Sequence, residues 1–381
     1  MPGHQSYNLP PTFRGLQFHS ATKPGSVVEL PSPLPTAGSV ILQPLCSAIV
    51  SYAKDVFCNG NPRGYNYPLP LVPGTNAICR VAAPGPDTPY LKPGMLVFTD
   101  GIIRPRDSSL ATPLLHGIHM GFTSESEALM SGEWRNGTWA ELVKVPAECV
   151  HVLNEQRLET LGYGIDELGY ISTLAVAYGG LSDVALRPGE TVIIAPATGN
   201  FGSAAVLVAQ ALGAGKIIAM GRNEEKLKQL AEGSQGHVVT VPITGNVEVD
   251  AAALQAEGPA DVYFDISPEL GAKVTHIKSA IIALRPRGRV SIMGGILGDV
   301  DFPYAMLMFK ALMIKGTFMY TRQQADELIR LVETGALPIG KRGGIEITGK
   351  FALDEWQHAF QHANDEMGPK KVAYFIPNGT S

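Results

Sequence analysis

Residues 193–205 read IIAPATGNFGSAA, and this stretch decides how the chain folds. An apolar run stops at Pro196, passes Gly199 and Gly202, and resumes as small apolar residues. That order spells a buried strand, a tight turn and the opening of a helix. Ala197-x-Gly199-x-x-Gly202 follows the G-x-G-x-x-G spacing of dinucleotide-binding turns, with alanine in the first place. The middle glycine lets the backbone approach a pyrophosphate, and the last lets the helix pack close to the strand. The helix start adds free N–H groups and a positive dipole end. Thr198, Gly199, Asn200, Phe201 and Gly202 are therefore candidate cofactor-binding residues.

Working outward, strands alternate with helices. TVIIAPA, KIIAMG, ADVYFDIS and RVSIMGG read as strands; GSAAVLVAQALGA, NEEKLKQLAEG, VDAAALQAEG and GAKVTHIKSAIIALRPRG read as helices. Upstream, DELGYISTLAVAYGGLSDV reads as one further helix. Such alternation marks βαβ units on a parallel sheet. An NAD binder usually carries Asp or Glu about 20 residues after the glycines, at the end of the second strand, to hold the ribose 2′-hydroxyl. Here that strand ends in Gly221, Arg222 and Asn223, with Lys226 one helical turn on. With no carboxylate there, a 2′-phosphate meets no repulsion and Arg222 can grip it through two N–H groups. The reading favours NADPH; the alternative is that Arg222 and Lys226 are ordinary solvated charges.

The 381 residues exceed one usual core, which predicts two domains. Hydrophobic residues make up 45% and charged residues 17%, with a net charge of -5. No Lys/Arg run suggests a nucleic-acid surface, and no segment approaches the ~20 apolar residues of a membrane span. The first residues, MPGHQSYNLPPTFRG, lack a signal-peptide pattern, and the four cysteines (Cys46, Cys58, Cys79, Cys149) form no C-x-x-C. A cytoplasmic protein without disulfides is expected. Residues up to about 155 are proline-rich with short β-like runs, and KKVAYFIP near the C-terminus shares that texture, so the chain end is expected to return to the first domain.

With GTWAELVKVP, AYGGL, LRPGETVIIAPATGNFGSAA, KIIAMGRNEEKL and LRPRGRVSIMGG in hand, the chain resembles the medium-chain dehydrogenase/reductase superfamily over nearly its whole length. The resemblance implies an α/β protein: a GroES-like β-barrel substrate domain (1–160, completed by 318–381) plus a doubly wound Rossmann cofactor domain (161–317). It also implies that Met293, Gly294 and Gly295 lie against the nicotinamide, and Asp265 to Ser267 near the adenosine side.

The departures tell more. Where zinc-dependent members place a catalytic Cys, a Gly-His-Glu and a second Cys, this chain has Tyr52 in SYAKD, Thr75 and Asn76 in PGTNA, and Ser172 in YISTLAVAY. The stretch matching their four-Cys lobe has no Cys; His116 and His119 remain there, and read as loop or wall. Neutral hydroxyls are poor zinc ligands, so no metal is expected. The resemblance then points to the zinc-free branch, quinone oxidoreductase-like proteins and enoyl reductases. Hydride would pass from NADPH to an activated C=C or a quinone. Carbonyl/alcohol interconversion without metal, another tailoring step in secondary metabolism, or a non-catalytic NADPH-binding role are the alternatives. Tyr52 is the candidate donor to the developing anion, Lys54 would lower its pKa if close, and Thr75 is a second donor; a plain aromatic wall at Tyr52 and a surface role for Lys54 stay open. The pocket lining is expected from NPRGYNYPLP and GIIRPRDSSLATPLLHG, with a small-molecule substrate and, through ALMIKGTFMY as an edge strand, a homodimer.

Overall fold

The computed structural model describes residues 7–108, 110–232, 234, 236–268 and 274–379. These residues form two compact units: one of 1–172, 339–367 and 372–381, the other of 173–338 and 368–371.

The second unit is built on six parallel strands. From edge to edge they are Val238–Pro242, Lys216–Gly221, Thr191–Ala195, Ala260–Asp265, Leu284–Ile292 and Met313–Gly316. Every neighbouring pair runs parallel. Val192 to Ala195 and Ile217 to Gly221 are buried without interruption, as strands covered on both faces must be. The chain starts in the middle of the sheet, winds outward to one edge, then returns and winds to the other. That order puts a switch point between Thr191–Ala195 and Ala260–Asp265, where an open α/β sheet leaves a crevice at its carboxyl ends. IIAPATGNFGSAA lies at this point: the strand ends at Ala195 and the helix Asn200–Ala211 follows.

Three sequence readings differ from the structure here. The expected helix through residue 288 spans only His276–Ala283, with 271–273 outside the described residues. Leu284 is already extended, because Pro286 disfavours helical backbone at Arg285 and the LRPRG segment joins the strand instead. The strand Val238–Pro242 carried no alternation and went unread. The single helix read over DELGYISTLAVAYGGLSDV is two, Ile165–Leu168 and Ile171–Asp183. At the break, a side chain on Gly169 would stand 2.6 Å from the Tyr374 ring.

The first unit is antiparallel. Its sheet runs Glu346–Phe351, Lys371–Phe375, Ser39–Ala48, Ala77–Pro84, Leu96–Thr99 and Val150–Val152, with Val143–Pro146 also paired to Ser39–Ala48. The C-terminal strand docks through Tyr374 and Phe375 onto Ala48 and Ser47. Phe18, Phe57, Trp139, Phe360 and Phe375 interlock at centroid distances of 5.1–6.4 Å. Phe360 reaches them because the helix Trp356–Glu366 buries Trp356, Ala359, Phe360 and Ala363, one stripe at helical spacing.

The helix Arg322–Thr334, which a boundary at 317/318 assigns to the barrel, belongs to the second unit. A Thr321–Gln324 capping box starts it and Gly335 at φ 80° ends it. It buries Ala325, Leu328, Ile329 and Val332 on that unit, with Gln324 Nε2 donating to Asp183 at 2.9 Å and Tyr178 donating to Glu327 at 3.0 Å.

Candidate functional site

The glycine-rich turn has a crowded side and an open side. A Cβ on Gly202 would drive into the Pro196 carbonyl oxygen and lie 2.8 Å from Ala197 Cα, so this glycine is what lets the helix sit on the strand end. A Cβ on Gly199 would meet nothing within 4 Å. Gly199 is the N-cap of the Asn200–Ala211 helix and supplies no capping side chain, which leaves the first-turn N–H groups available to an incoming anion. Ala197 is fully buried and its N–H donates to Met220 O at 2.6 Å, so the missing first glycine is absorbed without a left-handed residue. Asn200 and Phe201 are half-buried in the first helical turn.

The second strand end abuts this turn. A Cβ on Gly221 would stand 2.5 Å from Thr198 Cγ2. Beyond it Arg222 is exposed and makes no ion pair with a described residue; neither does the half-buried Lys226. Asn223 is committed elsewhere: its Oδ1 accepts from Lys226 N at 2.9 Å and caps the helix Glu224–Ala231. The sequence missed a third cation. Lys370, in the Gly368–Lys371 excursion of the second unit, holds a left-handed backbone at φ 56° and donates its N–H to Ser203 Oγ at 2.8 Å. Burial alone pushes its ammonium pKa down. Gly368 beside it brings Lys226 Nζ to 3.6 Å of its Cβ position. The Gly-Pro turn ahead of two lysines was the available signal. The open helix start suits the pyrophosphate of a pyridine dinucleotide.

Met293, Gly294 and Gly295 leave the Leu284–Ile292 strand and lean on the neighbouring strand end. Met293 N donates to Asp265 O at 3.0 Å, and Gly295 N to Ser267 O at 2.8 Å.

In the first unit Tyr52 precedes the short helix Ala53–Phe57. Its ring lies parallel to that of Tyr65 at 6.2 Å, and the Tyr65 hydroxyl donates to the Tyr52 oxygen at 3.5 Å. The Arg63 guanidinium sits over the Tyr52 face at 4.2 Å. Tyr65 meets His119 edge-on at 6.5 Å. NPRGYNYPLP thus supplies Arg63 and Tyr65 to one cluster with Tyr52, whereas GIIRPRDSSLATPLLHG contains one residue, 109, outside those described. Lys54 does not join the cluster. Its Nζ donates to Gln361 Oε1 at 2.7 Å, and desolvation, followed by Tyr65, raises the Tyr52 pKa instead of lowering it. Thr75 is half-buried, with its carbonyl pressed against Gly101, and its hydroxyl has no described hydrogen-bond partner.

The donor set does not fit zinc. Ser172 Oγ donates to Gly169 O at 2.9 Å. Burial pushes the Cys46 thiol up to about 12 and the Cys58 thiol up to about 11. His119 Nδ1 already accepts from Gly121 N at 3.0 Å. Among the described residues no three His, Cys, Asp or Glu side chains gather.

Residues 201–334 match the zinc-binding dehydrogenase family. Over 325 residues the chain is 22% identical to an L-threonine 3-dehydrogenase of Anaeromyxobacter sp. (strain K), covering 82% of this chain and 86% of the relative. A thermostable alcohol dehydrogenase from Pyrobaculum aerophilum shares the fold with a TM-score of 0.73 at 17% identity, over 96% of this chain and 100% of the other. So does a short chain alcohol dehydrogenase (rspB) from E. coli CFT073, solved with NADH, with a TM-score of 0.76 at 15% identity over 96% and 100%. The fold is a GroES-like domain plus a Rossmann domain, the architecture expected from the sequence.

Proposed function

We propose that this chain, an NAD(P)-dependent oxidoreductase of the medium-chain dehydrogenase/reductase superfamily, uses NADPH to reduce an activated C=C or a quinone without zinc. The reading rests on the sequence resemblance that puts Tyr52 at the place of a metal-ligating thiol, and the observation that supports it is the packing of Tyr65 and the Arg63 guanidinium against the Tyr52 ring. Bound NADPH supplies the hydride. The phenol, kept neutral by its raised pKa, donates to the anion that reduction leaves on the acceptor. The cation–π contact from Arg63 offsets the negative charge that grows on Tyr52 as it gives up its proton. Gly199 and the helix start receive the pyrophosphate, and Arg222 with Lys226 the 2′-phosphate. The alcohol and threonine dehydrogenases among the relatives favour a second reading, metal-free carbonyl/alcohol interconversion.

The test is oxidation of NADPH and NADH with enones, quinones and ketones run side by side. Turnover of an enone or quinone with NADPH is the expected result. Turnover confined to ketones moves the assignment to the second reading, and tight NADPH binding with no turnover of any class removes the catalytic one.

A further inference from the structure

The polar cluster under the Met293–Gly295 segment has a definite order of protons. Asp265 is 1% exposed, and its Oδ1 accepts from the Tyr263 hydroxyl at 3.1 Å and from Ser267 Oγ at 2.6 Å. Ser267 Oγ is also 2.8 Å from His276 Nε2. A carboxylate only accepts, and a serine has one proton to give. Ser267 therefore spends its proton on Asp265, and His276 must donate to Ser267 from Nε2. Three buried residues fall into a single file, His276 to Ser267 to Asp265.

This file is not an acyl-transfer triad. There a histidine sits between serine and aspartate and takes the serine proton. Here the serine is in the middle, its proton is committed, and His276 Nε2 stays 3.8 Å from Asp265. The file acts on the backbone instead. His276 opens the helix His276–Ala283, so its bond to Ser267 ties that helix to the end of the Ala260–Asp265 strand. The main-chain carbonyls of Asp265 and Ser267 are the acceptors for Met293 and Gly295. A side chain at 294 would stand 2.6 Å from Asp265 Oδ2 and 2.9 Å from Ser267 O, so the segment is moulded onto the file.

We infer that His276 is a positioning residue of the dinucleotide site: through Ser267 and Asp265 it holds Met293–Gly295 in the conformation that receives the cofactor. The inference rests on the reading above that this segment lies against a dinucleotide. The experiment compares His276→Leu, which removes the donor, with His276→Gln, whose Nε2 reaches a similar place. Amide hydrogen exchange at Met293 and Gly295 is read in the cofactor-free protein, and NADPH affinity by fluorescence titration. The expected result is faster exchange at those two amides and about tenfold weaker NADPH binding in His276→Leu. Both return toward wild type in His276→Gln, while exchange in the Asn200–Ala211 helix stays unchanged. Unchanged exchange and affinity in His276→Leu, or no rescue by glutamine, overturns the inference. A drop in melting temperature with exchange and affinity intact makes His276 a structural residue only, and also overturns it. A wild-type chain that binds no dinucleotide overturns the underlying reading too, and is recognised before any substitution is made.

Discussion

Three side chains give separable predictions. Arg222 is exposed and without an acidic partner among the described residues, so Arg222→Ala should cost little stability. A charge-assisted bidentate contact is worth roughly 1.5–3 kcal/mol. The substitution should weaken NADPH by about ten- to a hundredfold while leaving NADH binding unchanged, and equal losses for both nucleotides would remove the 2′-phosphate assignment. Tyr52→Phe keeps the ring against Tyr65 and Arg63 and deletes only the hydroxyl. Loss of one oxyanion-directed donor lowers kcat by about 10²–10³. On an enone or ketone turned over by the wild type, kcat should fall that far with a modest change in KM; a change in KM alone makes Tyr52 a wall. His116 is fully buried, and desolvation, opposed only in part by the backbone at Asn136, lowers its pKa from 6.5 to about 4. The unfolded chain then binds the proton first as pH falls. This group's stabilisation is present above pH 6.5 and drains away toward pH 4. The difference in unfolding free energy between wild type and His116→Leu should shift against the wild type by roughly 3 kcal/mol over that window. A difference that stays constant with pH contradicts it.

Elements show how local signals become placement. The glycine-rich turn was legible because strand, glycines and helix start are consecutive; Pro196 O explains Gly202 and Thr198 explains Gly221, while Gly199 faces open space. Lys370 was not legible, because its relevance depends on a C-terminal excursion of four residues packing on Ser203, far away in sequence. The last strand of the parallel sheet, Met313–Gly316, is exposed at all four residues, and the preceding helix Tyr304–Phe309 buries none. Tyr304 and Phe309 are 80% and 79% exposed. An unpaired strand edge flanked by apolar side chains matches a second copy of itself across a twofold axis, since the same ladder is offered from both sides. Light scattering should find a dimer, and Ile314→Lys should shift it toward monomer; a monomeric wild type at micromolar concentration rules the pairing out.

At the scale of the whole molecule, Tyr52, Tyr65 and Arg63 belong to one unit, and the glycine turn, Arg222, Lys226 and Lys370 to the other. No helix of the described residues is long and apolar enough to cross a membrane. With Tyr52, Thr75 and Ser172 at the expected ligand positions, purified protein should carry far less than one zinc per chain. Incubation with a chelator should leave both melting temperature and turnover unchanged; loss of either with one zinc per chain defeats the zinc-free reading. By itself the sequence determined the doubly wound unit, the glycine turn and the departures from a zinc set. Each of these is written in neighbouring residues or in a short spacing, and burial on both faces of a parallel sheet forces the apolar runs that announce it. Only the tertiary structure decided which way Lys54 turns, that Arg63 and Tyr65 gather on Tyr52, that Lys370 reaches Ser203, and that His276 stands behind Ser267. Those contacts depend on how loops and elements pack against one another, which no spacing along the chain records.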